Sequence, residues 1–332
     1  MKILYGFFLL SLVLIAGCEK KRAVDASREV ASRGIYSAAI SDDGNSAVVG
    51  SINDGASYWR LSDWERLYNW NHSADEKTMV VAADISVDGK WALTAAVHDM
   101  VLWDTSTGKG ERYWSAPGEI LAAKLSTHAE RALLGLSNHT AVIFDIQRGG
   151  IKQVFKLGNR VRSVDFDRAS KLVLTGSEDD SACLWDANSG ERLRCIQHDD
   201  EVQLVKLSDD GSLALSVSKY DKAIVWHTDS GELLGEIPLR ANKLKRGLRF
   251  TAARFSADNK WLLTGRPDQI VQLWDLSSMS LYAQWKLPKR HSWKPTGAAV
   301  VDVAFRSDEE FVAAASNGFI NILKLSTPAS YF

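Results

Sequence analysis

The chain has 332 residues, 45% of them apolar and 24% charged, with a formal net charge of −1. That balance excludes a globally basic nucleic-acid binder and a self-repelling disordered chain. Twelve tryptophans against six prolines, with no low-complexity stretch, favour one compact body over domains on a linker.

Met1 and Lys2 give a short positive start, and Ile3 to Ile15 is an apolar run broken only by Gly6 and Ser11. A basic start, a short apolar run and small residues before a cut predict a secretory signal over residues 1–17. The run is too short for a comfortable membrane span. Ile15-Ala16-Gly17-Cys18 resembles the bacterial lipobox. The resemblance implies cleavage before Cys18, diacylation of its thiol and acylation of the new amine, with residues 18–23 as a lipidated tether. One acyl chain anchors only marginally, at about 0.8 kcal/mol per buried methylene, whereas three hold firmly. Glu19 stands where an Asp retains Gram-negative lipoproteins in the inner membrane, which points to the outer membrane, periplasmic side.

From residue 24 to 332 the sequence repeats. Trp59, Trp103, Phe144, Trp185, Trp226, Trp274 and Leu323 recur at spacings of 44, 41, 41, 41, 48 and 49 residues. Each lies near the end of an alternating run such as Ala182-Cys183-Leu184-Trp185-Asp186. About eighteen residues upstream, a second alternating run ends in Ser/Asp and a turn: Ile40-Ser41-Asp42-Asp43-Gly44, Ile85-Ser86-Val87-Asp88-Gly89, Leu207-Ser208-Asp209-Asp210-Gly211. Asp-Gly between such runs is a hairpin signal, because Gly takes the positive φ the turn demands. Each unit reads as four strands joined by three turns.

These motifs resemble the WD-repeat family, whose blades are four-stranded sheets around a central channel. The likeness is strong at Trp103-Asp104, Trp185-Asp186 and Trp274-Asp275, fair at Phe144-Asp145, and weaker at Trp59-Arg60, Trp226-His227 and Leu323-Lys324. The family's Gly-His pair is largely missing, His198 being the nearest match. Its turn Asp is kept at Asp179 and Asp268, becomes Asn53, Asn138 and Asn317, and is lost at Val97 and Tyr220. The family's His–Ser–Trp network is therefore expected to be absent from most blades. The expected fold is all-β: a seven-bladed β-propeller of four-stranded antiparallel blades. Ala23 to Ala31 is an unclaimed segment of strand length, expected to close the ring as the outer strand of blade seven. Ten of the twelve tryptophans fall in register as packing between blades; Trp64 and Trp293 do not.

The two longest spacings mark insertions rich in cations. One holds Arg240, Lys243, Lys245, Arg246 and Arg249; the other holds Lys286, Lys289, Arg290, His291, Trp293 and Lys294, and neither has an acid. Both join an outer strand to the next inner strand and so share one face of the ring. They form either a docking surface for an anionic partner or two solvated loops. Glu178-Asp179-Asp180 and His198-Asp199-Asp200-Glu201 share that face; their spacing matches no calcium loop or zinc pattern, so they read as an acidic sector beside the basic one. Cys183 and Cys195 are about equidistant from the turn near Asn188-Ser189. They could form a disulfide if directly opposite; a one-residue slip would point them to opposite faces.

The histidines are scattered, and there is no Gly-x-Ser-x-Gly elbow and no phosphate-cradling loop. The expected function is a non-catalytic, membrane-anchored periplasmic scaffold, with no cofactor, no metal and no nucleic acid. It would be a monomeric ring presenting its charged loops to a cell-envelope protein, acidic where it meets the basic ones. The alternative is a periplasmic propeller enzyme or small-ligand binder using the central channel.

Overall fold

The computed structural model describes residues 20–51, 54–73, 77–220, 222–239, 249–291 and 297–330. These form seven sheets, each built on four antiparallel strands, arranged as the blades of a ring. Blade four shows the plan: strands Val161–Phe166, Leu172–Ser177, Ser181–Asp186 and Arg192–Gln197, each paired with the next. The other inner strands, which line the axis, are Ile35–Ile40, Ala82–Ile85, Ile120–Leu125, Val202–Leu207, Ala252–Phe255 and Val300–Phe305.

Burial follows position in the blade. The second and third strands of blade four are almost wholly buried, whereas Arg192–Gln197 at the rim is largely exposed. Apolar clusters lie between neighbouring blades; one joins Leu174 and Leu184 of blade four to Val202, Val205 and Trp226 of blade five. A propeller is therefore held by face-to-face sheet packing.

The turns explain the repeat's polar residues. Ser41 Oγ donates to Asp43 at 2.5 Å and accepts from the Ser46 N–H at 2.9 Å, and Gly44 adopts φ +68°. A Cβ on Gly44 would also meet the backbone of Arg306 at 3.1 Å. In the third turn the Asp of the Trp-Asp pair receives backbone N–H groups two or three residues on. Asp186 accepts from Asn188 at 2.9 Å and Ser189 at 2.7 Å.

The N-terminal segment closes the ring as expected. Ala26–Glu29 pairs antiparallel with Phe319–Lys324 as the outer strand of blade seven. A second lock was not anticipated. Lys21–Arg22 adds to the edge of blade six, parallel to Ser280–Lys286, and Ala329–Ser330 pairs with Lys21–Arg22 in turn. Arg22 also donates to the carbonyls of Leu325 (2.7 Å) and Thr327 (2.5 Å). Both ends of the described chain thus meet on blade six.

Among the described residues the His–Ser–Trp network is sparse, as expected, and complete in one blade. In blade two, Trp103 Nε1 donates to Thr94 Oγ1 (2.7 Å), which lies 2.8 Å from His72 Nε2, and His72 Nδ1 pairs with Asp99. Asp99 does from the start of the third strand what the lost turn carboxylate at Val97 cannot. Blades four and six keep only Trp185–Thr175 (2.9 Å) and Trp274–Thr264 (3.1 Å). In blade five His198 takes Ser216 instead, at 2.8 Å, and Trp226 Nε1 has no acceptor among the described residues.

Candidate functional site

Two kinds of loop form the upper face: those from an outer strand to the next inner strand, and those joining second to third strands. The blade-four loops carry the acidic sector. Part of it is structural. Asp179 accepts from Gly158 N–H (2.6 Å) and Ser181 Oγ (2.5 Å), and these bonds hold its carboxyl below the usual range against the opposing effect of burial. Glu178 is paired with Arg162, and Glu201 with Lys219 at 3.0 Å. Asp180 differs. Burial and the charges of Asp200, Asp179 and Glu201 raise its pKa, the mark of carboxylates crowded without enough cations. Among the described residues no group of three or more His, Cys, Asp and Glu is placed to hold a metal ion.

The basic sector lies on blades six and seven. Arg240, Lys243, Lys245, Arg246, Trp293 and Lys294 lie outside the described residues, as does Cys18. Lys289 and His291 are exposed and Arg249 is half-buried. Arg290 has a structural task. It donates to the carbonyl of Ala31 (3.2 Å) and to that of Ser32, pairs with Glu29, and sits 5.8 Å from the Phe319 ring. It therefore staples the loop to the strand that closes the ring. Lys286 donates to the Asp268 carbonyl at 2.5 Å. Its pKa is lowered by burial and by Lys21, Lys289 and Arg266, only partly opposed by Asp268. Like charges are crowded here too, with the opposite sign.

Between the sectors runs the central channel. Small residues on the inner strands, among them Ala38, Ala83 and Ala123, leave a cavity of about 300 Å³ open to the upper face. Deeper in, three carboxylates stitch neighbouring blades. Asp84 accepts from Leu125 N–H (2.7 Å), Asp165 from Leu207 N–H (2.9 Å) and Asp302 from Ile40 N–H (2.7 Å). Lys124 lies 2.9 Å from Asp84, Lys206 3.7 Å from Asp165 and Arg254 3.9 Å from Asp302. The lower mouth is crossed by Arg168, whose Nη1 contacts both Asp42 and Asp209. The inner-strand position that supplies Asp84, Lys124, Asp165 and Lys206 recurs once per repeat and is readable from the alignment of the repeats.

At the rim of blade four, Cys183 and Cys195 face each other in register, Cα atoms 4.1 Å apart and sulfurs 2.00 Å apart. The short Cα separation is that of a non-hydrogen-bonded antiparallel pair. The strand slips by one residue only beyond this point, between Leu184 and Trp185.

Seven four-stranded blades around an axis define the class: a seven-bladed β-propeller. The sequence model of the family described as WD domain, G-beta repeat, matches residues 151–186 and 246–275. Both matches end on a Trp-Asp pair, Trp185-Asp186 and Trp274-Asp275, whose Asp caps the third turn. Over these two stretches the chain is similar to the WD-repeat family, whose members commonly act as protein-interaction scaffolds. No curated protein matches the chain.

Proposed function

We propose that this protein is a non-enzymatic scaffold of the cell envelope, lipid-anchored at Cys18 in the outer membrane and facing the periplasm. The observation that carries the scaffold reading is the polarity of one rigid face. Blade four holds crowded carboxylates around Asp180, and blade six holds crowded cations around Lys286. Clustered charge of both signs on one frame suits a partner with the complementary pattern, and it steers encounter as well as register.

The anchor supports the same reading. Cys18 is three residues from Lys21, which is already fixed on blade six. Three residues span at most about 11 Å, so a lipid there holds the rim of blade six close to the bilayer. Confinement to a surface raises effective concentration, and a weak contact then suffices for recruitment.

The test has two parts. The mass of the N-terminal peptide should show a triacylated Cys18, and Cys18→Ala should release the protein from membranes. Separately, Lys243→Glu, Lys245→Glu and Arg246→Glu together should abolish co-purification of the envelope partner from crosslinked cells. Unchanged co-purification would remove the basic loops from the contact.

A further inference from the structure

Four consecutive blades each send one cation into the upper channel: Lys124 from blade three, Arg162 from four, Lys206 from five and Arg254 from six. The carboxylates among them are already committed. Asp84, Asp165 and Asp302 each spend an oxygen on the N–H of the next blade's inner strand, and each meets a cation besides. The cations are less fully used. Among the described residues Lys206 has a single ionic contact, at the long distance of 3.7 Å. Arg162, which lines the cavity, gives its Nε to Glu178, and its two terminal nitrogens have no hydrogen-bond partner among the described residues. Lys124 uses one of its three donors on Asp84.

The lumen is therefore rich in spare donors and poor in spare acceptors, which is the chemistry of an anion site. The cations also feel one another across the axis. Burial and the charge of Arg254, three blades away, pull the Lys124 pKa down, and Asp84 and Asp165 more than restore it. Lys124 thus stays charged at neutral pH with a second cation facing it. The cavity of about 300 Å³ is at the small end of ligand pockets, and the Arg168 bridge shuts its far end.

We propose that the upper channel binds a small polyanion, a di- or tricarboxylate or a phosphate, held between Arg162, Lys206 and Lys124. This site rests on the blade geometry alone and is independent of the anchor and the envelope partner.

Isothermal calorimetry on the purified full-length protein, with citrate and pyrophosphate at constant ionic strength, tests it. Saturable binding of one anion per chain is expected. Lys206→Gln and Arg162→Gln should each weaken it about tenfold, the worth of one charge-assisted hydrogen bond. Lys260→Gln, on an exposed lower-face turn, should leave it unchanged. Binding of citrate alone would identify the carboxylate class and of pyrophosphate alone the phosphate class, and either supports the site. No saturable heat from a natively folded protein, or equal affinity in the three variants, would overturn it.

Discussion

Arg168 of blade four reaches across the lower mouth of the channel to Asp42 of blade one, its Nη1 2.9 Å from the carboxylate. Blades one and four are three apart in a ring of seven, as far apart as two blades can be, so the contact crosses the axis. The same nitrogen lies 2.7 Å from Asp209 of blade five, and Asp42 also lies 3.5 Å from Arg254 of blade six. Four blades are joined through two residues. The pair is about half exposed, so its strength is discounted for solvent. Arg168→Met should cost about 0.5–1 kcal/mol in urea unfolding, less at high salt. A loss unaffected by salt would mean packing and not charge.

The blade-two network should be worth more than its relatives. Thr94 serves two side chains, Trp103 Nε1 and His72 Nε2, whereas Thr175 in blade four serves one, the Trp185 indole, and donates its own hydroxyl to the Cys183 carbonyl at 3.2 Å. Thr94→Val strands two buried polar groups and should cost about 2–4 kcal/mol; Thr175→Val strands one and should cost about 1–2 kcal/mol. Equilibrium urea titrations of the two variants check the order.

The Cys183–Cys195 bond closes a short hairpin loop with a sequence separation of 12. Chain-entropy reasoning gives it up to about 3 kcal/mol. Reductant should lower the melting temperature, and Cys183→Ala/Cys195→Ala should melt where the reduced protein does. Thiol counting in denaturant should show two more thiols with reductant than without. Equal counts would mean that the pair is not bonded in the isolated protein.

The turn aspartates set the acid limit. Asp43, Asp88, Asp210 and Asp258 each take a serine hydroxyl and a backbone N–H, and each has a lowered pKa. Asp258, bonded to Ser256 and Lys260, falls to about 2. A carboxyl with its folded pKa below its unfolded value stabilises fully above the unfolded value, about 3.9, and loses that contribution as pH falls through the folded one. Acid destabilisation from Asp258 therefore falls between about pH 4 and pH 2. Asp258→Asn should melt lower than the native protein at pH 7, and the gap should close as pH drops through that window. A gap independent of pH would assign the loss to shape and not charge.

The period of the Trp positions is enough to read seven blades, because each blade must bury the same faces. The closing strand is legible from a leftover of strand length, Ala23 to Ala31. The pairing of Lys21–Arg22 with Ala329–Ser330 is not, since two-residue strands carry no periodic signal. Trp64 falls outside the repeat for a physical reason. It stands at φ +61° in a third turn where blades two, four and five have Gly108, Gly190 and Gly231. It packs there on the cluster between blades seven and one, with Ala26 of the closing strand. The strain of a non-glycine left-handed residue is offset by that burial. Arg290 shows the limit of reading charge from sequence: a cation in an acid-free loop looks available, yet its partners are carbonyls and a Glu 258 or more residues away. The channel residues Asp84, Lys124, Asp165 and Lys206 share one position of the aligned repeats, but that they face one another across an axis shows only when the ring closes.

The most direct test of the scaffold is photo-crosslinking in the intact envelope. A photoreactive residue at Asp180 or Lys289, on the upper face, should give discrete adducts with another envelope protein, and one at Lys260, on the lower face, should not. Adducts that are absent from both upper positions, or equal from the lower one, would contradict the account.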